Sequence, residues 1–136
     1  SQEDRSLEDV LSEYLRETWD KKRKGTLLIY RSIPHMLPED RAAMREREEK
    51  LMAEGGALLS RRAGLSPDDP RGITAANLLV FLSAFAPMRD WLQPRATRGD
   101  PLVAAVARGS AVMVTAILEG PEMILDEPEV TEDPAG

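Results

Sequence analysis

At 136 residues the chain has room for one domain around a single core, and its 42% apolar and 31% charged residues are globular proportions rather than those of a disordered polymer. The absence of Cys excludes disulfides, thiolate zinc sites and cysteine nucleophiles, and His35 is the single histidine a His-based triad could use. The formal net charge of −6 is unevenly placed: seven acids and no base lie from Glu119 onward, so the body is near neutral and lacks the concentrated basic face that phosphate neutralisation demands.

No apolar run in the sequence approaches the roughly 18 residues of a membrane span, and the start has no basic-then-apolar leader. A soluble chain is expected. With aromatics at 4%, the core falls to Leu, Val, Ile, Ala and Met.

Helical spacing runs almost throughout. From Ser6 to Arg23, Leu7, Val10, Leu11, Tyr14, Leu15 and Thr18 form one stripe. Ser6 and Asp9 make a capping-box start. Lys21, Lys22, Arg23 and Lys24 suit the last turn through the helix dipole, and Gly25 reads as the stop. A second, short helix is expected over Thr26 to Met36, ended by Pro34 and Pro38.

A third helix is predicted from Pro38 to near Arg62, with Gly64 as its C-terminal signal. Its first half is charged, and Glu48 and Arg41 fall in line with its apolar stripe. The Gly55-Gly56 pair costs about 1 kcal/mol per Gly against Ala, which points to a close contact or a bend there.

Asp69 as N-cap and Pro70 as first residue open a fourth helix expected to reach Leu92, kinked at Pro87. Ile73, Asn77, Val80, Phe81, Ala84, Met88 and Trp91 form one stripe, and Leu78, Leu79, Leu82 and Phe85 fill much of the rest. A helix apolar all round is buried on more than one side. Asp100 and Pro101 repeat the N-terminal pattern for a fifth helix to about Leu118, rich in Ala, Gly and Ser and ended by Gly120-Pro121. Residues 121–136 read as a disordered acidic tail, and residues 1–120 as one helical domain. No repeat and no β-alternation is found, so the fold class is all-α with about five main helices.

Three shorter helices cannot easily cover both sides of the fourth. The sequence therefore predicts a homodimer through Leu78, Leu82, Leu102, Val106, Ser110, Met113, Val114 and Ile117, a simple internal pair of helices being the alternative. Val114→Asp is expected to abolish dimerisation.

The order of these features resembles a known family. A long helix ends in Arg61-Arg62-Ala63-Gly64-Leu65 and leads into Ser66-Pro67-Asp68-Asp69-Pro70. An apolar helix ends in Trp91-Leu92, and Gly99-Asp100-Pro101-Leu102 opens an Ala-rich final helix. From Ser6 to Glu119 this succession resembles the C-terminal, ligand-sensing half of tetracycline-repressor (TetR) family transcriptional regulators, in element order and loop character more than in any invariant motif. The resemblance implies a cytoplasmic repressor whose first helices enclose an effector pocket beside the fourth, and whose last two helices pack against their counterparts in a second subunit as a four-helix interface. It also implies a helix-turn-helix head preceding Ser1, through which operator DNA would be bound.

Tyr14, Trp19, Leu28, Met52, Asn77, Phe81, Phe85 and Met88 are the candidate lining of a mostly apolar pocket for a small hydrophobic effector. Core packing is the alternative for each. His35, between two prolines, reads as a surface or capping residue, and no His, Asp and Glu group converges as a metal site would need. No cofactor, no membrane partner and no enzymatic activity is expected, since no base with a plausible partner and no phosphate loop occurs. A stand-alone all-α dimerisation or adaptor module, without ligand or DNA, is the alternative to a regulator.

Overall fold

The computed structural model describes residues 5–123, which are all-helical, without a strand. Four helices form the domain: α1 (Leu7–Ser32), α2 (Pro38–Arg62), α3 (Pro70–Met88) and α4 (Asp100–Leu118). Short 3-10 turns at Ile33–His35, Asp90–Leu92 and Arg95–Thr97 join them. The expected tail lies outside the described residues from Ile124 onward.

The count of five helices is corrected to four at Gly25. Glycine ends a helix when it takes a positive φ and lets the chain turn away. The positive-φ residues here are Gly64 and Gly99, and α1 runs straight through Gly25. Burial of Thr26 in the next position gives the helix a reason to continue. α1 begins as its sequence suggests, with the Ser6 hydroxyl accepting from the Asp9 amide at 3.1 Å.

The close of α2 follows the sequence signal at Gly64. With φ +74 there, the Leu65 amide donates to the Ser60 carbonyl at 2.8 Å and the Gly64 amide to the Arg61 carbonyl at 3.0 Å. This double closure satisfies carbonyls that the helix end would otherwise orphan. Leu65 then folds back onto Leu59 and its neighbours.

α3 starts at Pro70 behind the Asp69 N-cap, as expected, but stops at Met88, four residues short of Leu92. Pro87 lies in its last turn and is fully buried. At α4 the register shifts by one: Gly99, at φ +72, is the N-cap, and Asp100 is the first helical residue.

The core has two patches. Leu11, Leu15 and Trp19 of α1 pack on Val103 and Ala107 of α4. Leu59 of α2, Ala75 and Ala76 of α3, and Val114 and Leu118 of α4 form the other. α3 is in contact with all three other helices. Its inward side is Gly72, Ala75, Ala76, Ser83 and Pro87, with Leu79 and Ala86 partly buried beside them. Of the stripe that begins at Ile73, the residues Ile73, Asn77, Phe81 and Trp91 are exposed, and Val80, Ala84 and Met88 are half-buried.

Small residues set how close α2 comes to α3. A Cβ on Gly72 would lie 1.9 Å from Ser60 Oγ and 2.4 Å from the Gly56 carbonyl oxygen, and one on Gly56 would lie 2.9 Å from the Ile73 backbone. Gly56 thus serves the close contact that the Gly-Gly pair suggested. Backbone cannot step aside as a flexible side chain can, so Gly72→Ala is expected to destabilise the fold by about 2–3 kcal/mol, read as a lower urea midpoint at unchanged slope.

The start of α3 is tied to the end of α4. The Asp69 carboxylate accepts from the Arg71 amide at 2.9 Å and from its guanidinium at 2.8 and 3.0 Å, while Arg71 Nη1 donates to the Gly120 carbonyl at 3.0 Å. The Arg71 side-chain hydrogen bonds, then its backbone amide, hold the Asp69 carboxyl down to about 2 from its ordinary 3.8. A carboxyl depressed on folding stabilises above its unfolded value and loses that contribution as pH falls toward the folded one. Thermal stability should therefore fall as pH drops from about 4 to about 2, and Asp69→Asn, lower in stability at neutral pH, should show a shallower fall over that window.

Candidate functional site

α3 and α4 are the two most apolar helices, yet less than a third of α3 and a third of α4 is buried in the chain. Both have the length and composition to cross a membrane, which corrects the expectation that no apolar stretch reaches that size; single charges at Arg71 and Arg108 interrupt the runs without lowering the average enough. What they expose is bulky. Leu78 is 43% and Phe81 57% exposed on α3, and Val112 is 63% exposed on α4.

On α4 the buried residues Val103, Ala107, Ser110, Val114 and Leu118 face α1 and α3. Ala105, Gly109, Val112 and Ala116 recur at helical spacing on the exposed side, and a Cβ on Gly109 would meet nothing. Between these two sides lie the half-buried Leu102, Val106, Met113 and Ile117. Of the eight residues expected at a partner surface, these four, with the exposed Leu78 and the half-buried Leu82, keep area outside the chain. Ser110 and Val114 do not. They are fully buried within the domain, so Val114→Asp would place a charge in the core and report on folding rather than on association.

The expected pocket residues separate. Phe81 and Phe85 stack with ring centroids 4.8 Å apart, and Tyr30 of α1 joins Phe85 at 5.2 Å. Asn77 and Met88 lie on the same outward side of α3, exposed and half-buried respectively. Leu28, 66% exposed, lines an open groove of about 690 Å³ at the α1–α2 elbow with Arg31, Ser32, His35, Met36 and Leu37. Met52 packs instead with Leu59, Ala75 and Ala76 at the far end, and Tyr14 is exposed on α1. Tyr30 is the ring of this cluster that was not among the expected pocket residues.

Trp19 is a core residue. It is 6% exposed, and its indole Nε1 donates to Asp90 Oδ2 at 3.1 Å. The other oxygen of the buried Asp90 carboxylate accepts from the Gly99 amide at 3.3 Å. One side chain thus joins the middle of α1 to the N-cap of α4. A buried tryptophan needs an acceptor for its N–H, and that requirement was the sequence signal that could have picked out Asp90.

His35 is exposed in its turn, and Arg41 and Glu48 are exposed on α2. Among the described residues no three of His, Asp and Glu stand close enough to hold a metal ion. What the arrangement offers is a broad apolar face on α3 and α4 and a shelf of three rings beside the elbow. No family model, no curated protein and no solved structure matches this chain.

Proposed function

We propose that this chain is the effector-sensing and dimerisation part of a TetR-like transcriptional regulator, acting as a homodimer through α3 and α4. The observation that carries the reading is the inverted pattern of α3: its Gly, Ala and Ser residues face the core while Leu78 and Phe81 face out. A contiguous apolar surface of that kind is costly in water and marks an interface. The exposed small residues Ala105, Gly109 and Ala116 of α4 let a partner helix come close, and a two-fold axis would set α3 and α4 against their own copies.

In this reading the shelf of Tyr30, Phe81 and Phe85 receives a small hydrophobic or aromatic effector. A ligand that prefers one arrangement of α1 against α3 shifts the spacing of the DNA-binding heads that the resemblance places before Ser1. Such coupling is typically about 1–3 kcal/mol, enough to move two heads off half-sites one helical turn apart. The scattering of Leu28, Tyr14 and Met52 away from the shelf favours a second reading, a helical dimerisation module with no small ligand.

Two measurements decide. Solution mass should be twice the chain's 15.1 kDa, and Val112→Asp, at an exposed site, should return it to the monomer with helix content unchanged. A wild-type mass of 15.1 kDa would remove the dimer. In a thermal-shift screen, apolar or aromatic compounds should raise the melting temperature, and Phe81→Ala should weaken the best of them by about tenfold, the scale of a lost aromatic contact. Hits confined to cationic or phosphorylated compounds would overturn the effector reading, and a dimer with no apolar hit would leave the ligand-free module.

A further inference from the structure

The second half of α1 carries two features that the fold leaves unused. Lys21, Lys22 and Lys24 form no ion pair among the described residues, and Arg23 is paired with Asp20 on its own helix. Immediately after them, Leu27, Leu28, Ile29 and Tyr30 are all exposed. Lys24, Leu28 and Arg31 follow at offsets of four and three, so cations and apolar side chains share the outward side of one helix.

The same sequence contains a segment of opposite character. Ile124 and Leu125 are followed by Asp126, Glu127, Glu129, Glu132 and Asp133, with Val130 among them and no base. We propose that residues 124–136 dock on the solvent face of the second half of α1, their carboxylates on Lys21, Lys22 and Lys24 and their apolar residues on Leu27 and Leu28. Charge and apolarity match in kind: the receiving surface holds bases beside aliphatic groups, and the segment holds acids beside aliphatic groups.

The reach is sufficient. The described chain ends at Met123, close after Gly120, whose carbonyl is held by Arg71 at the start of α3. Tyr30 touches Phe85 near the other end of α3. From Arg71 to Phe85 the α3 axis rises about 21 Å, while the extended chain from Met123 reaches about 35 Å by Asp133. The segment therefore reaches the basic cluster of its own chain and can equally reach that of a second copy. The inference stands apart from the dimer and effector readings, since neither α3–α4 association nor a ligand enters it.

The chain's lysine inventory makes the test clean. Lys50 is the one lysine besides Lys21, Lys22 and Lys24, and it lies exposed on α2, 4.0 Å from Glu54. A zero-length carbodiimide coupling of the full chain at low salt, read by peptide mass spectrometry, should join the Glu129, Glu132 and Asp133 carboxylates to the α1 lysines. The yield should exceed that to Lys50 by about fivefold, and it should collapse in about 1 M NaCl, where the Debye length is about 3 Å. Lys22→Glu with Lys24→Glu should remove the cross-links to Lys21 while helix content stays the same. Equal coupling to Lys50, coupling indifferent to salt, or an unchanged Lys21 yield in the reversed variant would overturn the proposal. Mixing isotope-labelled and unlabelled chains assigns the docking to one chain or to two, and either assignment supports it.

Discussion

The crossing of α2 over α3 is the constraint from which the rest of the domain follows. With hydrogen atoms as the side chains of Gly56 and Gly72, the two helices meet backbone to backbone, and the Ser60 hydroxyl fills what space remains. The Ser60 Oγ finds no hydrogen-bond partner among the described atoms, and neither does the Ser110 Oγ across the core. Each unsatisfied hydroxyl costs about 1–3 kcal/mol. Closeness at the crossing thus depends on the small size of Gly56, Ser60 and Gly72.

That choice dictates the outside. A helix has a fixed circumference, and α3 gives its inward arc to Gly72, Ala75, Ala76 and Ser83. Its bulky residues must then take the remaining arc, so Leu78 and Phe81 are displaced toward solvent by the packing of the small ones. α4 divides differently: Val103, Val114 and Leu118 face in beside Ala107 and Ser110, while Ala105, Gly109 and Ala116 face out with Val112. The apolar surface of α3 is a consequence of close internal packing. An apolar outer face is also the property that suits these two helices to a second apolar surface.

The sequence carried the helical class, the start of α1 at Ser6, the turn at Gly64 and the Asp69–Pro70 opening of α3, because each is a local signal set by backbone hydrogen bonding or a fixed φ. It was misleading at Gly25, where glycine at negative φ is only a weak cost that burial of Thr26 outweighs. It left the orientation of α3 open. Periodicity gives weight to large apolar residues, and on a helix apolar all round it cannot say which side is inside when the inside is chosen for smallness. The candidate pocket suffered for the same reason: Trp19 and Met52 were grouped with Phe81 by size and spacing, while partners seventy residues apart, such as Trp19 and Asp90, leave no periodic trace.

Asp90 divides α1 into two parts with different surroundings. Up to Trp19, α1 is clamped by Val103 and Ala107 and by the indole–carboxylate hydrogen bond. Beyond it, Thr26 is buried, Tyr30 leans on Phe85, and the other side chains from Lys21 to Arg31 are exposed or only partly covered. The carboxylate that Trp19 meets also holds the Gly99 amide, so one buried polar group ties the middle of α1, the turn after α3 and the N-cap of α4. Apolar side chains hold these elements by volume and contact, whereas a hydrogen bond also fixes direction. Asp90 therefore sets the register of α1 against α4 that Leu11, Leu15, Val103 and Ala107 then fill.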